Sequence, residues 1–242
     1  VAYDRQGNLH IAYVAETPLP SPVLLATLNT GPAAIVYAIS RDNGLTFQPQ
    51  VLAGTAVGND RPYVAVGPDA VNPDLDAVYV TYKTGVNATS AIVMQGAQVP
   101  PALPNLPAIQ TPVPQFGGSL TTVSIVNAPN FPIATVGPAG EVAVTWQTPV
   151  LQQNQTSFQG PSTVNYAFDN NGRLGGLVFP SITTITSSNV GSQDAIPALN
   201  PFALNAPVVI SGALNFLVPS PSNQNSYASP RIEYDRSGGP ND

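Results

Sequence analysis

The sequence predicts an all-β protein built by repetition of one four-stranded unit. Three observations carry that prediction. Helical periodicity is absent, because 27 prolines and 20 glycines interrupt almost every window of the 242 residues. Short alternating runs take its place, rich in Val, Ile, Thr and Tyr, which suit a pleated, half-buried surface. The runs also recur as pairs, a proline-led strand followed by a turn and a second strand.

The second strand of each pair reads apolar, variable, apolar, small, aromatic. It occurs as Leu9-His10-Ile11-Ala12-Tyr13, Val78-Tyr79-Val80-Thr81-Tyr82 and Val142-Ala143-Val144-Thr145-Trp146. Alternate residues of a strand share a face. Leu9, Ile11 and Tyr13 are therefore expected inward, and His10 on the other side, facing solvent or a neighbouring unit. The first strands are Pro62 to Val66 and Pro132 to Val136, with Val1-Ala2-Tyr3 as the tail of another and Pro230 to Tyr234 as a last copy. A leading proline suits a strand start, where no ladder donor is needed. Third and fourth strands are read at Ile35 to Ile39 and Gln50 to Leu52, and at Val164 to Phe168 and Ile182 to Ile185.

A repeating four-stranded sheet is the blade of a β-propeller. The expected fold is thus a β-propeller of four-stranded antiparallel blades, a single segment of an incomplete ring of about six or seven blades. Blades fall at about 1–58, 59–128 and 129–190, with a long connection at 191–228 and a further blade beginning at 229–242. The cut-off strands at both ends read as a fragment of a larger protein. A Pro-rich stretch from Val99 to Gly118 is expected to run extended over the surface.

Composition narrows the function classes. Charged residues make up 8% of the chain, against a usual share of about 25%. Ser, Thr, Asn and Gln must then solvate the surface, a profile common in secreted or cell-surface proteins. Seven Lys and Arg with a net charge of −6 give no basic patch for nucleic acid. No apolar run approaches the ~20 residues of a membrane span. The absence of cysteine excludes disulfides, thiolate metal sites and a Cys nucleophile.

One motif stands out, Ser40-Arg41-Asp42-Asn43-Gly44-Leu45-Thr46-Phe47. The Asp42 carboxylate can accept backbone N–H groups across a turn. Gly44 can take a positive φ, Thr46 adds a side-chain bond, and Phe47 plugs the hairpin into its sheet. The run resembles the Asp-box pattern Ser-x-Asp-x-Gly-x-Thr-Trp, with Phe47 for Trp. It sits between the third and fourth strands of a unit, as in sialidase-type (BNR, or Asp-box) β-propellers. Asp169 to Gly172 holds the same place in the third unit, without the Thr and the aromatic residue. The Asp box is a folding element, usually remote from an active site, so the resemblance speaks for the fold and little for chemistry.

Sialidase-like chemistry would need an arginine clamp for a carboxylate, a Tyr nucleophile activated by Glu, and an Asp acid–base. Arg61 and Arg231 are the candidate binding arginines; the competing reading pairs them with Asp60 and Asp235. Neither matches the Arg-Ile-Pro context of the family's first clamp arginine. Glu233 and Tyr234 are adjacent and point to opposite faces of a strand, which argues against a nucleophile pair. Arg41 belongs to the Asp-box turn and is expected to point outward. Asp69, Asp74 and Asp76 crowd one turn and could hold Ca²⁺ through oxygen ligands, or form a polar turn with Asx bonds. No other cofactor is expected. Asn87-Ala88-Thr89 and Asn154-Gln155-Thr156 match glycosylation sequons.

The first reading is therefore a non-catalytic extracellular module for adhesion, assembly, or glycan or protein binding. Its partners would be the remaining blades or another copy of the chain, and a glycan or extracellular protein. The competing readings are a sialidase-like glycoside hydrolase with part of its site outside this chain, and a structural subunit of an extracellular assembly.

Overall fold

The computed structural model describes residues 1–16, 32–85, 89–103, 105–117, 120–125, 129–148 and 162–188. Within them the chain forms twelve strands and, at Ala108–Gln110, one short 3₁₀ turn. The first sheet holds β1 (Ala2–Tyr3), β2 (Leu9–Glu16), β3 (Pro32–Ser40) and β4 (Gln48–Val57). The second holds β5 (Asp60–Pro68), β6 (Asp76–Thr84), β7 (Ala91–Gln98) and β8 (Thr121–Ser124). The third holds β9 (Asn130–Val136), β10 (Val142–Thr148), β11 (Ser162–Asp169) and β12 (Ile182–Ser188). In each sheet the strands lie in chain order and every neighbouring pair is antiparallel.

The second sheet packs between the other two, and side-chain alternation explains how. In β6, Val78, Val80 and Tyr82 pack with Ile35, Tyr37 and Ile39 of the first sheet. The intervening Ala77 and Tyr79 pack with Val136, Val142, Val144 and Trp146 of the third. Successive strand residues face opposite sides, so one strand feeds two cores and is buried along most of its length. A strand covered on both faces needs an apolar residue at almost every position.

The first sheet departs from expectation. Its core side carries His10 and Tyr37, with Ala12 and Val14 at the margin. Leu9 and Ile11 are only partly buried, and Tyr13 is 41% exposed. Their counterparts Val78, Val80 and Tyr82 turn toward the preceding sheet; among the described residues the first sheet has none before it.

The strand starts also differ in detail. β5 and β9 begin two residues before their prolines, at Asp60 and Asn130. Arg61 and Phe131, next to each proline, have left-handed φ values of 53° and 54°. The residue before a proline is ordinarily extended, so this is a strained device, and it is used twice. In each case the preceding side-chain oxygen accepts the strained residue's N–H, from Arg61 to Asp60 Oδ1 at 2.7 Å and from Phe131 to Asn130 Oδ1 at 3.1 Å. Ladder pairing skips the segment between Asp60 and Tyr63, which accommodates a proline that cannot donate.

Candidate functional site

The Asp42 turn links β3 to β4 and is closed by its own side chains. Asp42 Oδ1 accepts from Ser40 Oγ–H at 2.8 Å and from the Thr46 N–H at 2.8 Å. Its Oδ2 accepts from the Thr46 hydroxyl at 2.6 Å. Ser40 Oγ in turn accepts the Gly44 N–H at 2.8 Å. Asn43 and Gly44 have φ of 58° and 84°, which glycine tolerates and asparagine tolerates better than most residues. The Thr46 hydroxyl and N–H, with Ser40, hold the Asp42 carboxyl below the usual carboxylate range. Phe47 is half-buried.

Arg41 does not simply point outward. Its Nη2 donates to the carbonyls of Pro100 and Pro112, at 2.9 and 3.0 Å. Gln48 Nε2 donates to the carbonyls of Ile109 and Thr111, and Phe116 meets Tyr37 edge-on, with ring centres 5.0 Å apart. The Pro-rich stretch of the second sheet is thus fastened across the β3–β4 end of the first.

The Asp169 turn lies between β11 and β12. Asp169 is buried; its Oδ1 accepts the Asn171 N–H at 3.0 Å and its Oδ2 accepts the Val178 N–H. The carboxylate hub is therefore present without the Thr and the aromatic residue. Gly172, with φ 50°, sits against the β9–β10 turn. The next residue, Arg173, reaches the second sheet and donates from Nη1 to Asp69 Oδ2 at 2.6 Å.

Asp69, Asp74 and Asp76 are not assembled as metal ligands. Among the described residues no three His, Cys, Asp or Glu side chains form a group that could hold a metal ion. Asp69 is fully buried, held by Arg173 and by Gln98 Nε2 at 3.0 Å. Asp76 is held by Arg5 of the first sheet, from the backbone N–H at 2.7 Å and from Nε at 2.6 Å. The Arg5 Nη2 also donates to the carbonyls of Pro73 and Leu75. Among the described residues Asp74 is engaged through its N–H alone, with Asn72 Oδ1 at 3.3 Å. The turn carries an Asx bond, from the Val71 N–H to Asp69 Oδ1 at 3.2 Å, and is also a junction: an arginine from each neighbouring sheet enters it and satisfies one carboxylate.

Arg61 pairs with Asp60, 3.3 Å from Nε to Oδ2, and its guanidinium lies over the Phe131 ring at 3.7 Å. The strained residues of adjacent sheets therefore touch. Arg231, Asp235, Glu233, Asn87 and Asn154 lie outside the described residues.

The polar cluster that the alternation pattern does not reveal is centred on His10. The ring is fully buried, with Nδ1 2.8 Å from the Tyr37 hydroxyl and Nε2 3.1 Å from Asp4 Oδ2. Asp4 also accepts from the N–H groups of Gln6 and Asn8 and from Asn8 Nδ2. All three side chains are satisfied if Tyr37 donates to Nδ1 and Nε2–H donates to Asp4. Burial pushes the Asp4 carboxyl up, but the hydrogen bonds from His10 and Asn8 outweigh it, and the net shift is downward. Burial pushes the Tyr37 hydroxyl far up, so it keeps its proton. A cavity of about 280 Å³ opens beside Asp4, walled by Tyr3, Arg5, Val66, Asp76 and Pro138. Both carboxylates on its wall are already occupied by the protein's own donors.

No helix of the described residues is long and apolar enough to cross a membrane. No protein-family model matches the chain, and no curated protein matches it, so its function has to be argued from this geometry.

Proposed function

We propose that this chain is a run of β-propeller blades, of the sialidase-like kind in outline, that serves as a non-catalytic binding or assembly module of a secreted or surface protein. The fold part of this reading is supported by sheet order. Three consecutive four-stranded meanders pack side by side, and their first strands β1, β5 and β9 lie against one another in sequence.

One observation carries the functional part. The chain has very few charges, and the described arginines are spent on structure. Arg5 and Arg173 tie neighbouring sheets to Asp76 and Asp69, Arg41 ties down a Pro-rich segment, and Arg61 stacks on Phe131. An enzyme that clamps a planar carboxylate would turn such groups toward one shared cleft.

The test is hydrolysis of a fluorogenic sialoside and a panel of aryl glycosides by the full chain. The expected result is no release above buffer. Release that is lost on Arg61→Ala substitution would overturn the reading in favour of a hydrolase.

A further inference from the structure

The chain contains two Asn-Gly pairs, Asn43-Gly44 and Asn171-Gly172, at corresponding places in the first and third sheets. Asn-Gly is the dipeptide in which the next residue's backbone nitrogen most readily attacks the asparagine side chain, because glycine puts no side chain in the way. The two pairs share sequence chemistry and differ in surroundings.

At the first pair, Asn43 is exposed and Leu45 is 84% exposed. A Cβ placed on Gly44 would meet only Leu9 Cδ2, at 3.7 Å. Nothing packed obstructs rotation of this peptide. What holds it is hydrogen bonding: the Gly44 N–H, which carries the attacking nitrogen, is donated to Ser40 Oγ, and Ser40 is held in turn by Asp42. At the second pair, Gly172 is buried. A Cβ there would lie 2.1 Å from the Gly140 carbonyl oxygen and 2.8 Å from the Tyr79 hydroxyl. Closing a five-membered ring on Asn171 would require Gly172 to leave that packing and strain the adjoining Arg173–Asp69 bond.

We propose that Asn43 is a site of spontaneous backbone modification, guarded by the Ser40 hydroxyl, whereas Asn171 is locked. The Gly44 nitrogen loses its proton to solvent base and forms a bond to Asn43 Cγ. The Cγ–Nδ2 bond breaks and the side-chain nitrogen leaves as ammonia, giving a cyclic imide. Water then adds to either imide carbonyl, producing aspartate or isoaspartate at position 43. No oxidant or enzyme is required. Each event adds one negative charge, taking the net charge from −6 to −7. The isoaspartate product also inserts a methylene into the main chain inside the turn. The spacing from Asp42 to Thr46 then no longer fits the bonds that close β3 to β4, and Arg41, next in the chain, loses its fixed base. The site is a molecular clock whose setting is the Ser40–Gly44 hydrogen bond.

The experiment incubates the full chain at mildly alkaline pH and follows both pairs by peptide mass mapping. Isoaspartate is counted by methyl transfer from a protein isoaspartyl methyltransferase. A short peptide with the sequence of residues 40–47 gives the unguarded rate. Asn43 is expected to convert more slowly than the peptide but well ahead of Asn171. Ser40→Ala should speed Asn43 by about fivefold, the factor equivalent to about 1 kcal/mol of lost hydrogen bonding. Thr46→Ala, at an exposed position, removes one bond to Asp42 and should accelerate Asn43 in the same direction if Ser40→Ala fails to fold. Equal conversion at the two pairs, or an Asn43 rate unmoved by either substitution in a folded protein, would overturn the proposal.

Discussion

Gly140→Ala is expected to lower stability by about 2–5 kcal/mol, the sum of an overpacking penalty of about 1–3 and a left-handed backbone penalty of about 1–2. Gly140 has φ 89°, and an added Cβ would lie 2.4 Å from the Ala70 nitrogen and 2.8 Å from its Cα. These are backbone atoms, which cannot swing aside as the tip of a flexible side chain can. The contact joins the β9–β10 turn to the β5–β6 turn, and Gly172 also packs against the Gly140 carbonyl. One methyl therefore pries apart turns of the second and third sheets. Gly7→Ala separates the two causes. Its φ is 81° but no atom lies within 4 Å of the new Cβ, so only the backbone term remains, about 1–2 kcal/mol. Thermal or urea unfolding of the two variants should rank Gly140→Ala well below Gly7→Ala. Equal losses would mean that the turns are not in contact.

Asp4→Ala is the second large effect, expected to cost about 3–5 kcal/mol, as when one partner of a buried polar pair is removed. The substitution leaves the buried His10 ring without its Nε2 partner and strips an acceptor from the N–H groups of Gln6 and Asn8. Asp4→Asn keeps the shape and one acceptor oxygen, so it should lose less. The same carboxylate predicts a pH dependence. Its folded pKa lies below the ordinary aspartate value. The unfolded chain then binds the proton more tightly than the native state does. The contribution is complete above the unfolded value and is lost as pH falls through the folded one. Wild-type unfolding midpoints should therefore drop below about pH 4, with part of that drop missing in Asp4→Asn. An identical acid limb in the variant would remove Asp4 from the explanation.

Strand alternation made β2, β6 and β10 readable, because a strand with at least one buried face repeats its apolar residues with period two. The same rule misplaced the first sheet's core side. Which face is covered depends on neighbouring sheets, and among the described residues Leu9, Ile11 and Tyr13 have no neighbour like the one that buries Val78, Val80 and Tyr82. β7 and β8 carried little signal. β7 holds Met94, Gln95 and Gly96 in succession, and Gly96 is required there because a Cβ would stand 2.9 Å from the Tyr79 ring. β8 has only four residues.

The Asp42 turn was legible because its bonding partners lie within four residues. The Asp69–Asp76 turn was not. Its acids are crowded in sequence, which allowed either an ion loop or a polar turn with Asx bonds, but their partners Arg5 and Arg173 lie 71 and 104 residues away. No spacing rule reaches that far. His10 has a local clue in the sequence: Asp4 stands six residues before it, across the β1–β2 turn.

The chain's scarce charges fasten one sheet to the next. A double-mutant cycle on Arg173 and Asp69 tests it most directly, with Arg173→Ala, Asp69→Ala and the double variant unfolded in urea. Asp69 is fully buried and Arg173 about three-quarters so, at 2.6 Å. The expected coupling free energy is about 1–3 kcal/mol, within the range found for residues in direct contact. Additive losses, with coupling below about 0.5 kcal/mol, would contradict it.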